Sequence, residues 1–196
     1  MKKLLIIFVA CFALMNAGQA MASITIIDFE TLGNYEVVDD QFTGLGADFN
    51  GSASVLSAAG LSLNPIFPPH SGDKVIYDDP YLGSGIVRVD AVGPLWTMAG
   101  GYVTGNTNVT LTAYASDSSV LGTDSTGGAN YIGAGLPPNI FLSVSAPGIA
   151  YVEFSDTGNT YVVDDFTFEV IPAPGAILLG GIGIGLVGWL RRRRTL

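Results

Sequence analysis

The chain has 196 residues, of which 48% are hydrophobic, 17 are acidic and 8 are basic, with a single cysteine and a single histidine. All 17 acids lie between Asp28 and Glu169, a region whose only basic residues are Lys74 and Arg88. Such an acidic surface repels nucleic acid and other polyanions and attracts divalent cations, so nucleic-acid binding is excluded. It is also typical of a protein that stays soluble in an ionic exterior.

The N-terminal residues predict an export signal. A basic start is followed by an apolar run at 4–14, too short to span a bilayer comfortably, and then by the small side chains of Ala20 and Ala22. This order indicates a signal peptide at 1–22 that signal peptidase removes, with Ser23 as the first mature residue. The only cysteine leaves with it, so the mature chain forms no internal disulfide and no thiolate metal site.

The region 23–170 predicts an all-β fold. No stretch in it has a convincing helical period, and short β-rich runs alternate with clusters of Gly, Pro, Asn, Asp and Ser. About ten such runs favour one domain, a two-sheet antiparallel β-sandwich of jelly-roll type. The predicted strands are 24–29, 46–50, 53–56, 74–77, 86–92, 95–103, 108–115, 140–144, 150–154 and 161–170.

Two segments predict loops instead. Segment 64–73 is rich in proline, which favours a rigid excursion, and it carries the only histidine, His70. Segment 117–135 is rich in Gly, Ser, Asp and Thr, which is typical of mobile hairpin connections. Trp96 lies in an apolar strand and is expected in the core.

Acidic residues near the two ends of the domain suggest a cation site. Asp28 and Glu30 share a face of the first predicted strand, with Phe29 pointing into the core. If the first and last strands pair, alternation places only one of Asp164 and Asp165 on the face of Glu30. Glu30 and Asp165 with loop carbonyls would form an oxygen site for Ca²⁺. The alternative is that these acids are solvated residues at strand ends.

Aromatic side chains and the histidine are the candidate ligand-binding residues. Tyr77 and Tyr81 flank an acidic turn, and with His70 they could line a site at a loop edge. A Ser-His-Asp hydrolase would have to use His70, which has no Gly-x-Ser-x-Gly turn beside a strand. Paired carboxylates could serve a glycoside hydrolase, but no pair is fixed in a cleft. We therefore expect no enzyme activity.

The C-terminal 25 residues form a distinct pattern. A Pro-Ala-Pro break precedes a short, Gly-rich apolar run that predicts a transmembrane helix in the precursor, and a basic end follows. A permanent anchor is one interpretation, and a processed sorting signal at 171–196 fits the weak helix better. The signal residues are Pro172, Ala173, Pro174, Arg191, Arg192, Arg193 and Arg194.

This ending resembles the PEP-CTERM sorting signal, with Ala173 where the usual motif has glutamate. The resemblance implies recognition and processing by an exosortase, a membrane peptidase/transferase. The segments 27–30, 44–49, 68–73 and 163–166 are also similar to jelly-roll domains related to carbohydrate-binding modules. That similarity implies a Ca²⁺ site near the first and last strands, and no established activity.

Together these patterns predict an exported bacterial protein of the cell surface or extracellular matrix. The leading hypothesis is a non-catalytic role in adhesion or in association with exopolysaccharide. A calcium-dependent carbohydrate-binding module is the first alternative, and a hydrolase of surface glycans is the second. The expected partners are signal peptidase, an exosortase-type enzyme and extracellular polysaccharide, with no nucleic acid.

Overall fold

The domain consists of β-strands joined by turns, with a single turn of 3₁₀ helix at Thr43–Leu45. It is seen in a computed structural model that describes residues 22–79, 81, 85–158, 160–170 and 185. The strands are β1 (Ser23–Ile27), β2 (Val37–Val38), β3 (Ala47–Asp48), β4 (Ala53–Ser57), β5 (Lys74–Tyr77), β6 (Ile86–Ala91), β7 (Trp96–Gly105), β8 (Thr110–Tyr114), β9 (Val120–Ser125), β10 (Ile140–Ile149), β11 (Tyr151–Ser155) and β12 (Tyr161–Val170).

The strands form two sheets. The first has seven strands in the order β10-β7-β12-β5-β4-β2, with β1 also paired to β12, and the second has five in the order β3-β6-β11-β8-β9. The neighbours whose registers are resolved all run antiparallel. The predicted two-sheet β-sandwich is therefore confirmed, and the first strand pairs with the last.

Alternation along the strands builds the core. In β8 the side chains of Leu111 and Ala113 are fully buried while Thr110, Thr112 and Tyr114 face outwards, as the sequence pattern predicts. Trp96 is also fully buried, which confirms its expected place in the core. Its ring packs against those of Phe166 and Phe168, with centroids 5.6 and 4.9 Å away.

A buried tyrosine joins the two sheets. The hydroxyl of Tyr161, in β12 of the seven-stranded sheet, donates to the carbonyl of Phe154 at 2.6 Å and accepts from the amide of Val87 at 3.0 Å. Both partners belong to the five-stranded sheet. Since buried backbone groups need partners, this hydroxyl satisfies two of them and fixes the sheets to each other.

Several strand predictions were wrong in detail, and the two strands β2 and β9 were missed. Residues 120–125, within the segment expected to be mobile loop, form β9, an edge strand whose side chains are exposed or half-buried and therefore leave no apolar alternation in the sequence. The first strand ends at Ile27 rather than at residue 29. Phe29 has a left-handed φ of 61°, so Asp28 and Glu30 do not share a strand face, although Phe29 is buried as expected.

A long loop covers part of the seven-stranded sheet on the face turned away from the other sheet. Leu63 in this loop packs with Val75 and Val162, and Leu56, Phe67 and Tyr77 surround them. This small second cluster holds the Pro-rich segment 64–73 against the sheet and brings His70 over its outer face.

The chain divides into two units, of which one is Ile24–Val170. The other, Met1–Ser23 with Ile171–Leu196, lies almost wholly outside the described residues, as do the predicted signal peptide, transmembrane helix and sorting signal. Ser23, the predicted first mature residue, begins β1. Within the described part of the chain no helix is long and apolar enough to cross a membrane.

Candidate ligand-binding face

A row of side chains crosses the outer face of the seven-stranded sheet. Phe141 in β10 lies opposite Tyr102 in β7, which lies opposite Asp164 in β12. Their neighbours Val103 and Val163 are fully buried between the sheets, so alternation turns this row outwards. The row is the base of the candidate site.

Aromatic rings cover this row. The imidazole of His70 lies parallel to the ring of Tyr102, with centroids 3.3 Å apart and an interplanar angle of 6°, and Tyr102 packs at 4.9 Å against Phe141. His70 is exposed, and Phe141 is 38% exposed. Gly100 lies beneath Phe141, since a Cβ there would approach the phenyl ring to 3.1 Å. We call His70, Tyr102 and Phe141 the ring surface.

Two buried aspartates hold the loop that carries His70. One carboxylate oxygen of Asp164 accepts the backbone amides of His70 and Ser71 at 2.7 and 3.0 Å. Asp165 accepts from Nδ1 of His70 at 2.6 Å and from the hydroxyl of Ser71 at 2.8 Å. Because a carboxylate only accepts, Nδ1 carries the imidazole proton in this pair. These four contacts set the position of the imidazole.

Simple alternation along a regular strand predicted that only one of these two aspartates lies on the face of Glu30. The strand is not regular at this point, so that premise was wrong. The register of β12 shifts between Asp164 and Thr167, and Asp165 has a left-handed φ of 46°. Such a bulge adds a residue to the strand and redirects its side chains. Both carboxylates consequently contact the loop at 70–71.

Asp164 is electrostatically unusual. Burial raises the pKa of its carboxyl to about 6, and the negative charge of Asp165 acts in the same direction, whereas the hydrogen bond from the Ser71 amide opposes the rise. Burial therefore destabilises the ionised form of Asp164, and the hydrogen bonds from the loop stabilise it. This suits a structural anchor.

The meeting of Ser71, His70 and Asp165 does not form a hydrolytic triad. A triad needs the serine hydroxyl on one imidazole nitrogen and the carboxylate on the other. Here the hydroxyl of Ser71 donates to Asp165 itself. The geometry supports positioning of the imidazole and gives no activated nucleophile.

Glu30, one of the two predicted calcium ligands, contacts hydrogen-bond donors in this structure. Its Oε1 accepts the amides of Asp73 and Lys74 at 2.8 and 2.7 Å, and the ammonium of Lys74 donates to the carbonyls of Glu30 and Leu32. The two amides and the ammonium are hydrogen-bond donors, whereas Ca²⁺ requires about 6–8 oxygen ligands. Among the described residues no group of three or more His, Cys, Asp or Glu side chains could hold a metal ion.

A pocket lies beside the ring surface. Tyr77 in β5 pairs with Val162, which lies two residues before Asp164 on β12, so Tyr77 and Tyr102 occupy adjacent rows of the same face. The pocket has a volume of about 200 Å³ and is lined by Leu56, Leu63, Phe67, Tyr77, Asp78 and Val162, among others. Burial, followed by a hydrogen bond to Asp79, raises the pKa of Tyr77 to about 12.

Among the described residues that line this pocket, Asp78 is the only charged one. It is 1% exposed, and neither of its carboxylate oxygens has a hydrogen-bond partner in the part of the chain that the structure describes. Burial, and then the negative charge of Asp156, raise the pKa of this carboxyl to about 7. Asp78 is therefore a buried acid, although it lies three residues before the exposed Tyr81.

The three predicted ligand-binding residues occupy different surroundings. His70 lies on the ring surface, and Tyr77 lines the pocket on the same face. Tyr81 is 95% exposed, and the structure gives it no place among the pocket residues. The sequence analysis missed Phe141 and Asp78. Phe141 follows Ile140 in an apolar run, so the sequence does not show that its side chain faces outwards. The only sequence signal for Asp78 is the Asp-Asp pair at 78–79.

No protein-family model and no curated protein matches the sequence. Two solved structures of family 29 carbohydrate-binding modules are similar to this chain, and one of them is a point mutant. The mutant is 10% identical and the other structure 11% identical, and each match has a TM-score of 0.36. Both matches cover 76% of this chain, and they cover 92% of the mutant's chain and 89% of the other. The enzymatically active domain of tailspike protein 4 of bacteriophage CBA120 is 13% identical over 79% of this chain and 19% of its own, with a TM-score of 0.23. These likenesses are too distant to carry an argument about function.

Asp78 predicts an unusual dependence of stability on pH. The pKa of Asp78 is raised in the folded state from 3.8 to about 7. Between these two values the folded protein keeps a proton that the unfolded chain has lost, so the free energy of unfolding falls as pH rises from about 4 to about 7. The cost above pH 7 is on the order of 4 kcal/mol. We expect Asp78→Asn to raise the free energy of unfolding at pH 8, by about 2 kcal/mol once the new amide is accounted for, and to change it little at pH 4.

Asp79→Asn is the matched control for this urea-unfolding experiment. Burial is the largest single influence on the pKa of Asp79, and it acts to raise it. The hydrogen bonds from the Tyr81 amide and the Ser54 hydroxyl together outweigh burial, so the pKa of Asp79 is lowered. This carboxylate therefore contributes stability above its unfolded pKa that is lost as pH falls. Its amide variant should be less stable than wild type at pH 8. Equal effects of the two substitutions at pH 8 would show that Asp78 is not a buried, unpaired acid.

Proposed function

We propose that the chain is an exported, non-catalytic protein that binds extracellular polysaccharide on the ring surface. The observation that carries this proposal is the contiguous arrangement of the exposed rings of His70 and Phe141 with the half-buried ring of Tyr102 on one sheet face, fixed from below by Asp164 and Asp165. The electron-rich face of an aromatic ring attracts the C–H groups of a sugar ring. A rigid, preformed surface also binds with a smaller entropic cost than a mobile one.

Polar groups surround these rings and suit sugar hydroxyls. Asn139 is held beside them, with its amide donating to the carbonyl of Pro69 at 3.2 Å and its carbonyl accepting from Thr104 at 3.1 Å. Ser143 lies on the same face two residues after Phe141. The strongly acidic domain disfavours polyanionic chains, so the proposed ligand is a neutral or cationic polysaccharide.

Loss of one ring tests this function. We expect Tyr102→Ala to lower the affinity for polysaccharide about tenfold or more, which corresponds to about 1.4 kcal/mol, because His70 loses its stacking partner and Phe141 its neighbour. Affinity electrophoresis in gels containing neutral or cationic polysaccharides measures the change, with circular dichroism to verify folding.

Tyr114→Ala is the matched control. This tyrosine is half-buried on the outer face of the five-stranded sheet, where its ring stacks on Tyr151. We expect its removal to leave retention unchanged. If the Tyr114 variant lost retention and the Tyr102 variant kept it, the ligand would lie on the opposite face and the proposal would be overturned. Turnover of a retained polysaccharide by the wild-type protein would contradict the non-catalytic role.

Export and sorting form a second part of the proposal. Supporting it are the sequence patterns at both ends of the chain, with the Pro-Ala-Pro break, the apolar run and the terminal arginines. We expect intact-mass measurement of exported protein to give a species that starts at Ser23 and lacks Arg191, Arg192, Arg193 and Arg194. A mature species that retains the four arginines would indicate a permanent anchor in place of an exosortase-processed tail.

Calcium dependence is a separate proposal. It requires Glu30 and Asp165 to exchange their present hydrogen-bond donors for a cation. In that case EDTA lowers the melting temperature by a few degrees, and Glu30→Ala abolishes the difference between protein with and without EDTA. A melting curve that EDTA leaves unchanged removes calcium from the function.

A further inference from the structure

A single asparagine connects the elements that carry the ring surface. Asn139 lies directly before β10, which presents Phe141, and its backbone amide donates to the hydroxyl of Thr104 at 2.9 Å. That hydroxyl donates in return to Oδ1 of Asn139 at 3.1 Å. Thr104 is fully buried in β7, two residues after Tyr102. The two hydrogen bonds therefore fix the start of β10 to β7 beside the row of rings.

A third hydrogen bond of Asn139 reaches the Pro-rich loop. Its side-chain nitrogen, Nδ2, donates to the carbonyl of Pro69 at 3.2 Å. Pro69 directly precedes His70, and Pro68 and Pro69 restrict φ at two successive residues, so the backbone that leads into the imidazole is stiff. A bond to the Pro69 carbonyl is thus transmitted to the position of His70.

This bond constrains the imidazole in a direction that the buried aspartates do not. Asp164 and Asp165 attach the loop to β12. The stacking partner of His70 is Tyr102, which lies on β7 instead, with the two rings 3.3 Å apart and 6° from parallel. Contact over a whole ring face requires the loop to be aligned with β7 as well. Asn139 supplies that alignment, because it binds both β7 and the loop.

The backbone at position 139 suits an asparagine. Its φ is 57°, in the left-handed region, which asparagine and aspartate adopt more readily than most residues with a side chain. Asparagine also offers a donor and an acceptor on one short side chain. Aspartate can keep the acceptor for Thr104 but has no hydrogen for the Pro69 carbonyl when it is ionised. The two residue types therefore differ at this position in the bond to the loop and in charge.

We infer that Asn139 is a positioning residue of the ring surface. Through the carbonyl of Pro69 it holds the imidazole of His70 parallel to the ring of Tyr102. Its effect on polysaccharide binding rests on the proposed function, whereas its effect on the imidazole does not. Without this bond the loop stays attached to β12, so the domain folds while the imidazole shifts across its stacking partner.

Proton NMR of the only histidine tests the inference directly. The full chain in detergent, prepared without a histidine tag, gives one set of imidazole resonances, which the stacked ring of Tyr102 shields and moves upfield. We expect Asn139→Asp to move these resonances downfield, towards their positions in Tyr102→Ala. A pH titration compares the variants at the plateau of the neutral imidazole, so that a change in protonation is not mistaken for a change in stacking.

Two further variants control for charge. Asn64→Asp adds the same charge within the same loop, and its side-chain oxygen can still accept from the amide of Ile66, as that of Asn64 does at 3.2 Å. We expect its histidine resonances to match those of the wild type. Asn139→Gly adopts the left-handed backbone without strain and adds no charge, so it should displace the resonances as Asn139→Asp does.

Affinity electrophoresis with a neutral polysaccharide separates the inference from the proposed function. We expect Asn139→Asp to lower the affinity about threefold to tenfold, because one hydrogen bond that supports the surface is lost, and Asn64→Asp to leave it unchanged. Displaced resonances together with full retention, both in the Asn139 variants and in Tyr102→Ala, overturn the proposed function and leave the positioning role.

Two results overturn the inference itself. One is a set of histidine resonances that stays at its wild-type position in both folded Asn139 variants. The other is loss of the folded circular-dichroism spectrum in both, because the residue then stabilises the domain as a whole rather than the position of the imidazole.

Discussion

The rest of the outer face depends on the bulge at Asp164 and Asp165. By placing a left-handed residue inside the last strand, the chain directs both carboxylates to the loop at 70–71. Their hydrogen bonds fix that loop, the loop fixes the imidazole of His70, and the imidazole covers Tyr102. The strain of a left-handed aspartate is offset by the donors that it reaches. A regular strand would turn one carboxylate into the core and release the loop.

Two buried acids beside the seven-stranded sheet differ in their hydrogen bonds. Asp164 accepts three backbone amides, from His70, Ser71 and Asp165, so its burial is compensated within the protein. Asp78 receives no such bond from the described residues. Both carboxyl groups have raised pKa values, chiefly because they are buried, so the pKa alone would not distinguish them. The hydrogen-bond partners do.

The sequence predicts well whatever follows from simple alternation. Strands β5 and β12 have their expected bounds, and Trp96 and Phe29 are buried as expected. Prediction fails where the backbone departs from regular geometry. No pattern of residue types marks Asp165 as left-handed, so the direction of its side chain could not be deduced. Phe141 faces outwards because of its register with Tyr102, and register is a long-range property that one strand's sequence does not contain.

Two kinds of interaction would hold the proposed polysaccharide on this face, ring stacking and electrostatic attraction. Ring stacking depends on contact area and discriminates weakly between sugars, since every pyranose presents C–H groups. Tyr77 and Tyr102 lie on adjacent rows joined by β12, so one extended chain could contact both rings. The acidic surface adds a long-range attraction for cationic chains, which salt weakens, whereas the stacking contacts depend little on salt.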